Sequence, residues 1–377
     1  MSVGTADESE LSELRSAVRD FLEAKSPEEA VRKLMESEPR YDPAVWAQLT
    51  EQLRLPGLAI PEEYGGDGFG PVELGVVLEE MGRALLCAPY FATVVLAAQA
   101  LLASGDTDAC ARHLPGIAAG ATTATLAVAE NSGSWDPALI SARAVRDGEG
   151  GEGGWRLTGR KSFVIDGTTA DLVLVVARTV GGPSLFAVDG TAPGLTAESM
   201  ETLDATRAMA RLTLDAVPAT LVGSDGSGGR IMAKVLDFAS VALAAEQSGG
   251  ARRCLETAAE YARTRHQFGR PIGSFQAVKH KCADMLVQVE LAEAASREAA
   301  RLAAEGSPDY PVAAGVAHVA CSRAYMFTAM ENIHVHGGIG FTWEHPAHLY
   351  FRRAKSSQLL FGGPAVYHER LLDRLGI

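Results

Sequence analysis

Apolar residues recur at three-to-four spacing over Glu10–Glu28, Ala44–Leu53, Gly70–Leu86 and Phe91–Ser104, the period of one helical face, with few β-branched runs to oppose it. The first third of the chain is therefore predicted helical. From about Ala121 the period changes. Thr122–Ala129, Ile140–Arg146, Trp155–Thr158, Asp171–Ala177, Leu185–Val188 and Leu212–Leu214 are short, rich in Val, Leu and Thr, and separated by Gly, Pro, Asp or Asn. Short strands at such spacing predict an antiparallel sandwich or barrel. Asp147–Gly154 reads as a glycine-rich hairpin tip and Ser224–Gly229 as a linker. Past Arg230 the helical period returns. Ile231–Thr264, Phe275–Glu305 and Asp309–His336 are long, Ala-rich and amphipathic, and a short helix over about Ala365–Leu375 closes the chain. Pro311 sits near a helix start, where its missing N–H costs little. Four such helices predict a bundle. The expected fold is α+β and multidomain: an N-terminal helical domain over 1–120, a middle antiparallel β-domain over 121–228 and a C-terminal four-helix bundle over 229–377.

Composition narrows the function classes. Hydrophobic residues are 47% of the 377 and charged residues 21%, enough apolar material for a large core. The formal charge of -13 argues against a nucleic-acid partner, which would demand a basic face, but a few local Arg residues suffice for an anionic ligand such as coenzyme A. Five scattered cysteines without Cys-x-x-Cys pairing fit buried thiols in a reducing, cytoplasmic setting. Met1–Glu10 has neither a basic start nor an apolar stretch, so no signal peptide is expected, and runs such as Val94–Leu102 are too short to span a membrane. Gly65–Gly70 lacks both the Gly-x-Gly-x-x-Gly spacing and a preceding buried strand, so it is not taken as a phosphate loop. His334 and His336 lack a nominated third ligand, and packing or capping is the reading preferred over a metal site.

Four motifs in order carry a resemblance. They are Pro61–Gly66 followed by Glu79-Glu-Met-Gly-Arg83, Trp155–Gly167, Arg265-His-Gln-Phe-Gly-Arg-Pro-Ile-Gly-Ser-Phe-Gln276, and His336-Gly-Gly-Ile-Gly-Phe-Thr342. With the order helices, strands, helices, the chain resembles the acyl-CoA dehydrogenases over essentially its whole length. The resemblance implies FAD as cofactor, an acyl-CoA substrate and an electron-transfer flavoprotein as electron acceptor. It places Arg265 on the FAD of a neighbouring subunit, with Gln267 and Phe268 near the adenosine half and Gln276 closing the motif, so the protein is expected to be a homo-oligomer or a heterotetramer with a homologue. A guanidinium is suited to a pyrophosphate by its forked donors. Gly337 and Gly338 match a turn used for FAD phosphate contact, where a backbone without Cβ can approach closely; a plain helix cap would look similar. Phe163 matches an aromatic against the isoalloxazine. Ala129 and Ile165 stand where the family often has flavin-contacting threonines, His334 where it usually has Gln, and Gly363 where it usually has Thr or Asp.

The implied reaction needs a base for the α-proton, donors for the developing enolate and a hydride acceptor. The family's common base is a glutamate in a C-terminal turn that aligns with Leu360–Gly363, and its position is Phe361. Phe361 offers only its backbone N–H, to the thioester carbonyl. A second family position for the base, on the helix before the arginine motif, aligns with Ala239. Two turns further, about 10 Å along the same face, stands Glu246 within Leu243-Ala-Ala-Glu-Gln-Ser-Gly-Gly250, where a bacterial subgroup similar to the heteromeric steroid side-chain enzymes has its helix glutamate. A glutamate in so apolar a stretch is costly unless paired or partly neutral, and a raised pKa would suit a base. The other reading of Glu246 is a structural carboxylate paired with an Arg or Lys across the subunit interface. Glu130 matches a structural acid of the β-domain. Three functions follow: an active dehydrogenase using Glu246, a silent subunit completing a flavin site for a partner, or a flavin oxidase or monooxygenase on the same fold.

Overall fold

A computed structural model of the chain describes residues 6–147 and 154–377. The elements run α1 (Glu8–Lys25), α2 (Glu28–Met35), α3 (Pro43–Leu53), α4 (Pro71–Arg83), a π-helical stretch Phe91–Ala97 continuing as α5 (Ala98–Ser104), α6 (Thr107–Ala118), β1 (Ala124–Ala127), β2 (Arg143–Arg146), β3 (Trp155–Ile165), β4 (Leu172–Thr179), β5 (Gly182–Asp189), β6 (Leu195–Ser199), β7 (Met209–Val222), α7 (Gly228–Thr264), α8 (Gln276–Ala304), α9 (Tyr310–His336), α10 (Ala347–Leu359) and α11 (Pro364–Leu375). The chain folds into two compact units. A helical unit holds the residues up to Lys33, Gly70–Leu86 and Ser240–Ile377; a β-containing unit holds Leu34–Phe69 and Cys87–Ala239.

Helix starts follow local chemistry. Asp7 caps α1 by accepting from the Ser9 and Glu10 amides, while Glu10 accepts from the Asp7 amide, a capping box. Asp42 caps α3 by accepting from the Ala44 and Val45 amides, and Pro43 stands at the first helical position, where no N–H is needed. The helix predicted over Glu10–Glu28 stops at Lys25 because Pro27 cannot continue it, and α2 begins just after.

In the β-containing unit, β5 bonds to both β4 and β7, so β4, β2, β3, β7 and β5 close into a ring. Closure leaves few free edges, and Leu157, Val175, Phe186 and Leu212 on its strands are fully buried. The expected barrel is thus present and mostly antiparallel; β2 meets β4 in parallel where the ring closes, and β1 is added in parallel to β4. Strand lengths differ from expectation. Trp155–Thr158 extends to Ile165, Leu212–Leu214 lies in the first half of a fourteen-residue strand, and β6 was not predicted. The predicted hairpin tip lies mostly at 148–153, outside the described residues; its flanks β2 and β3 pair antiparallel.

In the helical unit, small residues let helices touch. A methyl added at Gly82 of α4 would lie 2.0 Å from the Glu246 carbonyl oxygen of α7, and one at Gly249 would lie 1.8 Å from that of Glu79. Ala244 of α7, Ala292 and Ala299 of α8, and Cys321 and Ala324 of α9 form one apolar cluster. Between α9 and the final helix the chain forms α10, a helix that the sequence reading did not predict.

Candidate functional site

Glu246 lies on α7 and is 5% exposed. The absence of a side chain at Gly82 makes its place, since a methyl there would meet Glu246 Cγ at 2.9 Å. Arg353 of α10, 4% exposed, donates from Nη1 to Glu246 Oε1 at 2.9 Å. Each charge offsets the cost of burying the other, several kcal/mol per ion if left alone. Glu246 is thus a paired carboxylate in this structure, but its cation comes from the same chain and not, as expected, from across an interface. Next to it Gln247 donates to the Ser322 hydroxyl at 3.0 Å, so this stretch of α7 carries polar groups inward.

The Leu360–Gly363 turn joins α10 to α11. Its Phe361 ring is fully buried and its backbone is left-handed there (φ 65°), with Gly362 at φ 111°. Both flanks are tied to α7: Arg353 holds Glu246 before the turn, and the Tyr367 and Ser240 hydroxyls meet at 2.8 Å after it. His318 of α9 stacks on Tyr367 with centroids 3.7 Å apart. Burial pushes its imidazole down to about 3, and Arg370 adds to the effect, so it is neutral. Ala239, the other position matched to a base, is a buried alanine on α7.

The arginine motif forms an exposed turn between α7 and α8. Register pairs His266 with Pro271 and Gln267 with Arg270, and the Arg265 amide donates to the Tyr261 carbonyl at 2.8 Å. Arg265, Gln267 and Gln276 are exposed, and Phe268 is 90% exposed with φ 54°. Arg265 has no ion-pair partner among the described residues. At the end of α9, Gly337 (φ 61°) caps the helix by donating to the Ile333 and His334 carbonyls. A Cβ at Gly337 or Gly338 would meet nothing within 4 Å, so the backbone there has open space beside it. His334 is exposed, with Nδ1 3.3 Å from Glu331 Oε1. His336 points inward, bonds the Asn332 carbonyl at 2.8 Å and stacks on Tyr261, a packing role.

In the β-containing unit, Phe163 sits at a bulge of β3, between the pairs at Lys161 and Val164, with φ 58°. Non-glycine residues hold that conformation at a cost, and such strain gathers at functional sites. Ala129 and Ile165 are buried, their carbonyls engaged by the Ser162 amide and the Thr125 hydroxyl. Glu130 accepts from the Ser141 and Ala142 amides and from Lys161 Nζ at 3.0 Å. Burial works against its charge, but the Ser141 hydroxyl, the Ala142 amide and Lys161 together hold its carboxyl down at about 2. It is a structural anchor, as expected.

An exposed guanidinium beside an exposed aromatic, and two glycines with open space beside them, fit the diphosphate and rings of FAD. Sequence reasoning missed Arg353, Tyr367, Ser240 and His318. A signal existed for the first: Ala347, Leu349, Tyr350, Arg353, Ala354 and Ser357 share the buried face of α10, and a charge on such a stripe calls for a partner.

The family models for the acyl-CoA dehydrogenase N-terminal, middle and C-terminal domains match residues 8–121, 125–217 and 226–376. Acyl-CoA dehydrogenase IpdE2 of Mycobacterium tuberculosis is 36% identical over 358 residues, 95% of each chain. Acyl-CoA dehydrogenase FadE27 of the same organism is 34% identical over 372 residues, 93% of each. Among solved structures, a variant of the steroid acyl-CoA dehydrogenase Tcur3481–Tcur3483 is 37% identical with a TM-score of 0.87 over 98% of each chain. The ChsE4–ChsE5 complex of Mycobacterium tuberculosis is 31% identical with a TM-score of 0.88, covering 99% of this chain and 98% of that one. Three domain models in order, relatives along the full length and a helix–barrel–helix fold agree: the chain belongs to the acyl-CoA dehydrogenase family.

Proposed function

We propose that the chain is a subunit of an FAD-dependent enzyme that converts an acyl-CoA thioester to its trans-2-enoyl-CoA and passes the electrons to an electron-transfer flavoprotein. The observation that carries this reading is the exposed Arg265–Phe268 turn, whose cationic and aromatic groups face solvent. FAD would supply the hydride acceptor at its N5. Arg265, Gln267, Phe268 and Gln276, with His334, Gly337, Gly338, Phe163 and Ala129, are the residues proposed to hold it, in an oligomer where one subunit's turn reaches the next subunit's cofactor. The Phe361 amide is proposed to polarise the thioester carbonyl, and Glu246 to take the α-proton. The three-domain division at 120 and 228 belongs to the same proposal. So does a cytoplasmic setting, which the five free cysteines support. Among the described residues no helix is long and apolar enough to cross a membrane.

A second reading is favoured by one contact. Bound to Arg353, Glu246 would have to leave a buried ion pair to take a proton. In this reading the pair stays intact and the chain completes a flavin site whose base belongs to a homologous subunit. The two separate in the visible spectrum of the purified chain, alone and co-expressed with a homologue. On the first reading the chain alone is yellow, is bleached by acyl-CoA, and loses bleaching in Glu246→Gln. Normal bleaching by that variant removes Glu246 as the base, and activity that appears only beside a homologue supports the second reading.

A further inference from the structure

Acids outnumber Lys and Arg in this chain by 47 to 34, so its arginines have carboxylates in abundance. Along α7, Arg252 donates to Glu293 and Glu290 at 2.7 Å each, and Glu256 is taken by Arg83. Arg253, between them, forms no ion pair among the described residues. Its polar neighbour is the Tyr350 hydroxyl, which itself donates to the Arg83 carbonyl at 2.8 Å.

Arg253 lines a cavity of about 330 Å³ within the helical unit. Leu22 of α1, Val31 of α2, Leu85 beyond α4 and Leu349 of α10 give it apolar walls, and Thr257 stands one turn along α7 from Arg253. The other charges around it, Glu23 apart, are engaged. Buried Glu80 is held by Arg15 and Arg19, Arg83 by Glu256, and Glu28 by Arg32, with Glu23 and Glu28 exposed to solvent. Arg253 is therefore the one arginine of the wall without a carboxylate among the described residues.

A volume of about 330 Å³ stands at the small end of the range of ligand pockets, about 300–1,000 Å³. A bare inorganic anion would satisfy the guanidinium and leave the leucines and valine against water. One oxyanion head on a short apolar body satisfies both, and a planar carboxylate matches the guanidinium fork. We propose that this cavity binds a short-chain aliphatic monocarboxylate, with its head on Arg253 and its alkyl chain against Leu22, Val31, Leu85 and Leu349. The site is separate from the residues assigned to dehydrogenation and does not depend on that reading.

Calorimetric titration of the purified full-length protein with hexanoate tests it. One-site binding is expected, weakened about tenfold or more in Arg253→Gln and by a smaller factor in Arg253→Lys, which keeps the charge and loses the fork. Methyl hexanoate and inorganic phosphate, each lacking half of the ligand, are expected to bind more weakly than hexanoate. The proposal is overturned if hexanoate does not bind, if Arg253→Gln binds it as well as the parent does, or if the ester or phosphate matches it. Circular dichroism checks the fold of each variant, and Arg253→Lys decides the matter if Arg253→Gln does not fold.

Discussion

Glu246 and Arg353 are 107 positions apart in sequence and meet where water does not reach. Arg353→Met leaves the carboxylate buried without its cation and is expected to destabilise the protein by about 3–5 kcal/mol. Combining it with Glu246→Leu removes both charges and should cost less than Arg353→Met alone; urea unfolding of the two single variants and the double reads the coupling. Glu130 has a different signature. Its ordinary carboxyl value of 4.5 falls to about 2 in the folded chain, so its contribution is fully present above pH 4.5 and is lost as pH falls toward 2. Lys161 works in the opposite sense: burial pushes its ammonium down to about 8, a penalty present below pH 8 that fades as pH rises toward 10.5. Glu130→Gln is therefore expected to flatten the acid limb of stability between pH 4.5 and 2, measured by thermal unfolding across that window. The slope is the readout, since the variant also strands Lys161 and lowers stability throughout.

Replacing a helical glycine by alanine normally gains about 1 kcal/mol. At Gly249 the sign should reverse, because the new methyl would fall 1.8 Å from the Glu79 carbonyl oxygen and force α4 and α7 apart. A loss of about 1–3 kcal/mol is expected for Gly249→Ala, visible as a lowered Tm. Elements with a clean period were legible in sequence: α7, α8 and α9 lie within a few residues of their predicted bounds. The missed ones have physical reasons. α10 carries polar Arg352, Lys355, Ser356 and Gln358 among its apolar positions, and its buried stripe includes an arginine. β6 is largely exposed, so it lacks the alternation that marks a half-buried strand. β7 is interrupted to the eye by Asp215 and Pro218, yet it continues because it can borrow partners from β3, β5 and β6 in turn.

At the scale of the whole molecule, the order of helices, barrel and helices follows from where the period changes, and four motifs tied that order to one family. The candidate site was legible in part. Arg265, Gln267 and Phe268 announce themselves within one short segment, and the structure leaves them exposed. The partner of Glu246 could not be read, because an ion pair between distant helices leaves no local trace. Assembly is the remaining property at this scale. Leu286, Val287 and Leu291 on α8, with Val316 and Met330 on α9, present apolar side chains to solvent, the kind of surface a neighbouring subunit would cover. Leu291→Glu is expected to shift the protein to smaller species in sedimentation velocity. An unchanged distribution would place any subunit contact elsewhere.

The Glu246–Arg353 pair also constrains inheritance. A lineage that loses the acid inherits a stranded buried cation, and one that loses the cation inherits a stranded acid, so a single step in either direction is penalised. Drift at these two positions should be concerted. Among descendants of a common ancestor, acid at 246 and base at 353 should travel together or disappear together, whatever substrates those descendants came to use.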